Sequence, residues 1–162
     1  MFYQSTYLSA LGEITLVCDE EALLHLSLPG QQDFPHGAQW GNHPILVRTK
    51  EWLCRYFAQE APAPSELPLR PVGTPFREVI WKLLLEIPYG QTVSYGELAK
   101  EAARNLGKTR LSAQAVGQAV GANPIPIIIP CHRVVGANGS LTGYAGGIHY
   151  KKYLLELESP EL

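Results

Sequence analysis

The segment Ile125-Pro126-Ile127-Ile128-Ile129-Pro130-Cys131-His132-Arg133-Val134 joins an apolar run to an adjacent cysteine and histidine. A thiolate is a strong nucleophile, and a neighbouring imidazole helps to form it. The length and composition of residues 125–129 predict a buried strand that delivers the pair to a site. Adjacent side chains on a strand point to opposite faces, however. The pattern alone therefore leaves Cys131 open as a nucleophile or as a buried structural cysteine.

Around this segment, the chain of 162 residues is long enough for one domain or for two small ones. Proline is concentrated between residues 61 and 71, which marks a linker. Before the linker, β-prone segments with turn signals, a polar loop at 29–44 and a helical pattern at 45–57 predict a small antiparallel sheet with a helix. Helical patterns dominate the remainder. We therefore expect an α+β protein with domains at 1–72 and 73–162.

Three hydroxyl side chains mark the starts of helices in the second domain. Thr74 precedes a proline, which is typical of a helix start. Ser94 and Glu97 form a capping box, and Ser112 precedes a short helix that is rich in small residues. Two short helices joined by a glycine-containing turn predict a helix-turn-helix. A last amphipathic helix over residues 148–158 closes the domain.

Charge is distributed unevenly along the chain. The formal net charge is −2, but residues 1–73 carry 4 Lys or Arg against 8 Asp or Glu, whereas the rest carries 9 against 7. Four of these cations fall in one short stretch: Lys100, Arg104, Lys108 and Arg110. Such a cluster is either a phosphate footprint or a solvated helix end, and the sequence alone leaves both open.

The sequence also predicts the compartment. No apolar run of 18 residues is present, and the first residues lack the basic region and apolar stretch of a signal peptide. The three cysteines Cys18, Cys54 and Cys131 have no metal-site spacing and cannot all pair, which indicates reduced thiols. We therefore expect a cytoplasmic protein with no membrane association.

The motifs of the second domain resemble those of the O6-alkylguanine-DNA alkyltransferases, also called methylated-DNA–protein-cysteine methyltransferases. The matching segments are Gly73-Thr74-Pro75-Phe76, Ile87-Pro88-Tyr89-Gly90, Val93-Ser94-Tyr95, Ala115-Val116-Gly117, Asn123-Pro124, Pro130-Cys131-His132-Arg133-Val134 and Leu141-Thr142-Gly143-Tyr144-Ala145-Gly146-Gly147. The resemblance covers residues 73–158. Residues 1–72 match more loosely, as the small ferredoxin-like or ribonuclease-H-like domain of such proteins.

The resemblance implies a chemistry for four residues. Family members transfer an alkyl group from O6 of guanine in DNA to their own cysteine, which is Cys131 here. The thioether product is stable, so each molecule acts once. His132 resembles the base that takes the thiol proton through a water molecule, and Glu158 the carboxylate that orients it. Tyr95 resembles the phenol that protonates N3 of the leaving guanine. O4-alkylthymine is a further candidate substrate.

The resemblance also implies a base pocket and a DNA surface. The lesion must be flipped out of the duplex, and the helix after Ser112 resembles the family's minor-groove recognition helix. The expected base-pocket residues are Val134, Tyr144, Ala145 and Gly146, with Asn123 holding this region together. The expected DNA contacts are Tyr95, Gly96, Gln114, Ala115, Gly117 and Ala137. The expected partner is double-stranded DNA carrying O6-alkylguanine, bound by a monomer.

Two departures from the family pattern affect these expectations. Gln114 stands where the family usually has an arginine that replaces the flipped base in the stack, so either flipping is less efficient or another residue assists it. The chain between Tyr95 and Gln114 is also several residues longer than usual, and it carries Lys108 and Arg110 as expected phosphate contacts. Some relatives bind zinc in the first domain. No matching Cys/His set occurs here, so we expect no metal and no cofactor.

Two other functions use the same residues. A non-reactive module that binds alkylated DNA would lack the acceptor cysteine, whereas Cys131 is present; weak flipping at Gln114 keeps this alternative open. A hydrolase with a Cys/His/Glu triad would turn over, but the sequence carries no separate oxyanion-hole motif for it. The stoichiometry of the reaction distinguishes these functions.

Overall fold

The computed structural model describes residues 1–31, 37–141 and 147–159. It divides into two compact units, Met1–Val72 with Pro124–Pro126 and Gly73–Asn123 with Ile127–Leu162. Within the described residues, no helix combines the length and the apolar character needed to cross a membrane. The α+β class is confirmed, with a sheet in the first unit and mostly helices in the second.

The first unit is built on a four-stranded sheet. Its strands are β1 (Tyr3–Ser9), β2 (Gly12–Cys18), β3 (Leu23–Ser27) and β4 (Gln39–Trp40), in the order β3-β2-β1-β4. β1, β2 and β3 form the predicted antiparallel meander. β4 was not predicted; it lies in the expected loop at 29–44 and pairs in parallel with β1. Its two residues are too few to show an alternating pattern.

Helix α1 (Pro44–Phe57) covers this sheet and agrees with the predicted helix. His43 is its N-cap, because the imidazole accepts a hydrogen bond from the backbone N–H of Ile45 at 3.2 Å. Its buried face carries Ile45, Leu46, Thr49, Trp52, Leu53 and Tyr56, which pack towards β1 and β2. This apolar face explains why the helical periodicity was readable.

The second unit contains α2 (Pro75–Leu84), α3 (Tyr95–Leu106), α4 (Ala113–Gly121) and α5 (Ile148–Glu158). All three predicted caps form: the hydroxyls of Thr74, Ser94 and Ser112 each accept a hydrogen bond from the backbone N–H three residues later, at 3.0–3.2 Å. α2, α3 and α4 pack against one another, with α3 and α4 in the predicted helix-turn-helix order.

The predicted strand at 125–129 is wrong. These residues form turns, and they lead into a 3₁₀ helix at Cys131–Arg133. Prolines at 124, 126 and 130 remove three backbone donors, so the segment cannot form a regular ladder. Ile127 also adopts a φ of 73°, which is rare for a β-branched residue and incompatible with a strand.

A short parallel pairing then organises the region. β5 (Val93–Ser94) pairs with β6 (Val134–Val135), with Val93 opposite Val134. Tyr95 directly follows β5, and the 3₁₀ helix directly precedes β6. The pairing therefore brings the start of α3 close to the cysteine–histidine pair.

Candidate active site

Cys131 lies at the start of the 3₁₀ helix, on a tight turn. Its backbone N–H donates to the carbonyl of Ile129 at 2.8 Å, and the N–H of Arg133 donates to the carbonyl of Pro130 at 3.0 Å. The cysteine is 6 % exposed. Because the pair does not lie on a strand, the opposite-face argument drawn from the sequence does not apply to Cys131 and His132.

His132 is fully buried and contacts the last residue of α5. Its Nε2 lies 2.6 Å from Oε2 of Glu158. Burial lowers the pKa of His132, and the carboxylate opposes this effect only in part. Burial alone would raise the pKa of Glu158, but hydrogen bonds and charges from His132 and Arg133 outweigh it and lower that pKa to about 2. The pair is therefore a neutral imidazole beside a carboxylate at neutral pH.

This pairing fixes the tautomer of His132. An ionised carboxylate only accepts hydrogen bonds, so Nε2 carries the proton and donates it to Glu158. Nδ1 is then left with a lone pair. This atom is buried and makes no hydrogen bond to any residue within the described ranges. The geometry thus presents an imidazole nitrogen that can accept a proton.

Arg133 holds the carboxylate of Glu158 from the other side. Its Nε and Nη2 donate to Oε1 and Oε2 of Glu158 at 2.8 and 3.1 Å, and its Nη1 donates to the carbonyl of Ile87 at 2.6 Å. The backbone N–H of Gly90 donates to Oε1 at 3.2 Å. Each carboxylate oxygen therefore has at least two donors, and the orientation of the side chain is fixed.

Tyr95 and Lys151 complete the inner part of the site. Tyr95 is the first residue of α3, and Nζ of Lys151 lies 5.6 Å from the centroid of its ring. Lys151 is fully buried on α5. Burial lowers the pKa of Lys151, and the charge of Cys131 acts in the opposite direction. The structure thus brings the thiol, the phenol and an ammonium into one cluster.

Helix α4 lies beside Tyr95. A Cβ placed on Gly117 would be 3.9 Å from Cε1 of the Tyr95 ring, which is ordinary contact distance. No other described atom outside the helix backbone and the adjacent residues approaches that position as closely. Gln114 is exposed in the first turn of the helix, and Ala115 is half-buried in the same turn. Packing among the described residues therefore does not require glycine at position 117.

The predicted basic cluster lines a cleft beside this helix. The cleft has a volume of about 610 Å³ and lies between α3 and the segment leading into α4. Its lining includes the four exposed cations Lys100, Arg104, Lys108 and Arg110. Arg104 also pairs with Glu101 at 2.6 Å. Gly96 and Ala113, near the first residues of α3 and α4, lie in the same cleft.

The remaining predicted residues fall in three groups. Val134 is fully buried in β6, and Asn123 donates from Nδ2 to the carbonyl of Ile129 at 2.8 Å, which ties the end of α4 to the turn before Cys131. Ala137 is exposed and begins a short 3₁₀ helix at Ala137–Gly139. Tyr144, Ala145 and Gly146 lie outside the described residues.

Sequence reasoning missed two members of the cluster. The motif around Cys131 includes Arg133 but predicts no role for it, and no motif includes Lys151. The signal for Lys151 was available: Lys151, Leu154 and Glu158 recur at helical spacing and are the buried positions of α5. A lysine on the inner face of a short helix is unusual because lysine is almost never fully buried.

The structure also shows the state of the three cysteines and whether the described residues form a metal-binding cluster. Cys18, Cys54 and Cys131 are all free thiols. Burial and the charge of Glu20 raise the pKa of Cys18 to about 11, whereas Cys54 is exposed. Among the residues that the structure describes, no group of three or more His, Cys, Asp or Glu could hold a metal ion. The expected lack of a metal stays a prediction.

Two family profiles together match most of the chain. The profile described as "6-O-methylguanine DNA methyltransferase, DNA binding domain" matches residues 75–160. The profile described as "6-O-methylguanine DNA methyltransferase, ribonuclease-like domain" matches residues 2–71. The chain belongs to the O6-methylguanine-DNA methyltransferase family. The resemblance drawn from the motifs is therefore confirmed.

Individual members of this methyltransferase family match over nearly the whole chain. Methylated-DNA–protein-cysteine methyltransferases of Methanosarcina acetivorans and Haemophilus influenzae are 42 % and 38 % identical, covering 96 % of this chain and 97 % and 86 % of the relatives. The crystal structure of Mycobacterium tuberculosis OGT in complex with DNA is 42 % identical, covers 98 % of this chain and 93 % of that chain, and superposes with a TM-score of 0.84. The methyltransferase fold is thus shared throughout.

Proposed function

We propose that this protein repairs alkylated DNA by moving an alkyl group from O6 of guanine to Sγ of Cys131. The observation that carries the proposal is the chain of contacts behind the cysteine: His132 follows Cys131 on one tight turn, and Glu158 holds Nε2 of His132 at 2.6 Å. A buried imidazole with an available Nδ1 is suited to accept the thiol proton. The family membership gives the substrate class.

The reaction balances with residues of this chain. Nδ1 of His132 takes the thiol proton, through a water molecule in the arrangement that the family resemblance implies. The thiolate displaces guanine from the alkyl carbon, so a C–S bond forms as the C–O6 bond breaks. Tyr95 gives a proton to N3 of the leaving guanine. The products are unmodified guanine and S-alkylcysteine, which water does not cleave, so each molecule reacts once.

Glu158 and Arg133 support this proton transfer. The carboxylate stabilises the imidazolium that forms when His132 accepts a proton, as the aspartate does in a hydrolytic triad. Arg133 and the backbone N–H of Gly90 fix that carboxylate. A displacement at an sp³ carbon forms no tetrahedral oxyanion, and the charge that develops on the leaving guanine is met by the Tyr95 proton, so the site needs no oxyanion hole of the hydrolase type. This difference favours alkyl transfer over the triad hydrolase.

DNA is proposed to approach along α4. The target base cannot react inside the duplex, so it is flipped, at a cost of about a few kcal/mol. We propose Val134, Tyr144, Ala145 and Gly146 as the residues that receive it, as the family resemblance implies. Asn123 supports the turn before Cys131. Among the described residues, nothing comes closer than ordinary contact distance to a Cβ on Gly117, which is consistent with close approach of a minor-groove wall to Gly117, Gln114 and Ala115. Gly96 and Ala137 are proposed further contacts.

The basic cleft extends this DNA surface. Lys108 and Arg110 are exposed cations in the lengthened segment before α4, and we propose that they contact backbone phosphates. Such contacts position the duplex without reading its sequence, which suits a repair protein. They also compensate in part for the arginine that Gln114 replaces.

The test is intact-mass spectrometry after incubation with duplex DNA that carries one O6-methylguanine. We expect one added methyl group on Cys131, restored guanine and no second turnover. Cys131→Ser should take up no methyl group, whereas Cys54→Ser should behave as the wild type because Cys54 is an exposed thiol unrelated to the site. Unmodified protein that retains the DNA would instead identify a lesion-binding module, and repeated turnover would identify a hydrolase.

A further inference from the structure

Lys151 is a fully buried lysine in a position that packing alone does not explain. It lies one helical turn before Leu154 on the inner face of α5, and α5 packs against the 3₁₀ helix that carries Cys131. Its Nζ lies 5.6 Å from the centroid of the Tyr95 ring, within the range of a cation–π contact. A methionine would fill similar space without the cost of burying an ammonium group.

The charge of this ammonium acts on the nucleophile. Burial lowers the pKa of Lys151, and the interaction with Cys131 opposes that shift. Because a charge–charge interaction is mutual, the same ammonium favours the thiolate form of Cys131. Burial, and then the charges of Arg133 and Lys151, act against protonation of His132. Lys151 thus helps to keep the imidazole unprotonated, so that Nδ1 has a lone pair at neutral pH.

We propose that Lys151 is a positioning residue for alkyl transfer, whose ammonium stabilises the Cys131 thiolate and holds the Tyr95 ring beside it. This inference rests on the proposed function and adds a residue to it. The nucleophile must be negative and the phenol must point at the leaving base, and one ammonium that interacts with both serves both needs. Glu158, on the same helix, then serves the imidazole rather than the thiol.

Several other titratable or charged groups surround the cluster, and they limit how its pH dependence is interpreted. The 3₁₀ helix contributes Cys131, His132 and Arg133, α3 contributes Tyr95, α5 contributes Glu158, and the segment before β5 contributes Tyr89, whose ring lies 5.6 Å from Cζ of Arg133. Glu158 titrates far below neutral pH, with a pKa of about 2. Changes between pH 6 and 9 therefore report on the thiol and its near neighbours.

The test uses three variants in a Cys54→Ser background, so that the exposed thiol does not contribute. Lys151→Met removes the charge, Lys151→Arg keeps it, and Lys152→Met is the matched control because Lys152 is exposed on the same helix. The substrate is free O6-benzylguanine, whose benzylic carbon is reactive in displacement and which requires no DNA binding. The rate of benzyl transfer to Cys131 is measured by mass spectrometry from pH 6 to 9.

We expect Lys151→Met to move the pH profile upward by about one unit, which lowers the rate at pH 7 about tenfold. Lys151→Arg should recover most of this loss, and Lys152→Met should match the parent protein. A folded Lys151→Met protein with the parent profile would overturn the inference. If the parent protein transfers no benzyl group, the same variants are compared on duplex DNA that carries O6-methylguanine. A parent protein that takes up no methyl group there has failed the proposed function itself, and the two failures are therefore distinguishable.

A measurement on the parent protein covers the case in which Lys151→Met does not fold. Iodoacetamide labelling of Cys131 is followed against pH, with Cys54 replaced. We expect half-maximal reactivity below the ordinary thiol pKa of about 8.5. Half-maximal reactivity at or above that value would mean that the ammonium gives the thiolate no net stabilisation, and it would overturn the inference without any variant at Lys151.

Discussion

Nε2 of His132 and Oε2 of Glu158 are 2.6 Å apart, although the two residues are 26 positions apart in the chain and both side chains are almost completely buried. The contact joins the 3₁₀ helix of the nucleophile to the last residue of α5. It fixes which imidazole nitrogen carries the proton. The free nitrogen is therefore the basic one, and the carboxylate can balance the charge that develops there.

The first prediction concerns Glu158→Gln. The amide keeps an oxygen near Nε2 but lacks the charge that stabilises the imidazolium, so we expect alkyl transfer to slow by about 10²-fold or more. The rate is measured in single-turnover reactions with methylated duplex DNA. The variant is also destabilised, by about 3–5 kcal/mol, because Arg133 loses its buried partner.

Leu154→Ala separates these two effects. Leu154 is buried on the same helix but makes no polar contact in the site, and its truncation costs a similar free energy of unfolding, about 2–5 kcal/mol. We expect its folded fraction to transfer methyl groups at nearly the wild-type rate. Equal rates for the two variants would mean that Glu158 acts only through stability.

The second prediction concerns stability in acid. The pKa of Glu158 is about 2 in the folded protein and lies near its ordinary value of 4.5 in the unfolded chain. A depressed carboxyl pKa stabilises the fold above pH 4.5, and this contribution of about 3 kcal/mol disappears as the pH falls towards 2. Burial lowers the pKa of His132 below its ordinary value of 6.5. As the pH falls, the unfolded chain therefore binds a proton at this histidine before the folded protein does.

Both groups therefore destabilise the fold on acidification. Urea unfolding at pH 7, 5.5 and 4 should give a steadily smaller free energy of unfolding. Glu158→Gln should flatten the acid end of this dependence, whereas Glu156→Gln, exposed on the same helix, should leave it unchanged. A flat dependence in the wild type between pH 7 and 4 would contradict the assignment of charges to this pair.

The third prediction concerns the basic cleft. If Lys108 and Arg110 each contact one phosphate, replacing both by alanine makes the negative slope of log K for DNA binding against log salt concentration shallower by about 1.8. Binding is measured by fluorescence anisotropy between about 50 and 200 mM salt, a range over which affinity for DNA changes steeply. The Cys131→Ser background is used because it cannot react. Lys82→Ala, an exposed lysine on α2, is the control. An unchanged slope for the double variant would remove these residues from the DNA surface.

The sequence predicted those elements whose cause is local. The hydroxyl caps at Thr74, Ser94 and Ser112 are decided by a few neighbouring residues, and all three formed. The strand predicted at 125–129 was wrong because an apolar run of this length is typical of a strand. Its prolines and the positive φ of Ile127 prevent the backbone from forming the hydrogen bonds of a sheet. The sequence did not predict β4, because its pairing with β1 depends on residues that are distant in the chain.

The candidate site was predicted by resemblance more than by spacing. Nothing local links His132 to Glu158, and the family pattern supplied that pair. The sequence does not predict that Lys151 is buried, because it is adjacent to Lys152 and two adjacent lysines on a helix usually indicate a solvated surface. Burial of only one of them is a property of the packing, which a pattern of charges does not reveal.

The fourth prediction concerns Gly117→Ala. The added methyl group would lie 3.9 Å from the Tyr95 ring, so it fits, and alanine should stabilise α4 by about 1 kcal/mol. If DNA approaches this face closely, the same methyl group weakens transfer from duplex DNA. Transfer from free O6-benzylguanine should be unaffected. A variant that is more stable and equally active on duplex DNA would show that the minor groove does not meet α4 at this point.

The last prediction concerns Gln114→Arg. Gln114 is exposed in the first turn of α4, where an arginine would add charge and a planar group to fill the stack left by the flipped base. We expect faster methyl transfer from duplex DNA, by several-fold, and no change with free O6-benzylguanine, which needs no flipping. Gln118→Arg is the control, because it adds the same charge to an exposed position on the same helix. If both arginines accelerate the duplex reaction equally, the gain is electrostatic attraction alone. If neither does, base flipping is not limited by the residue at position 114.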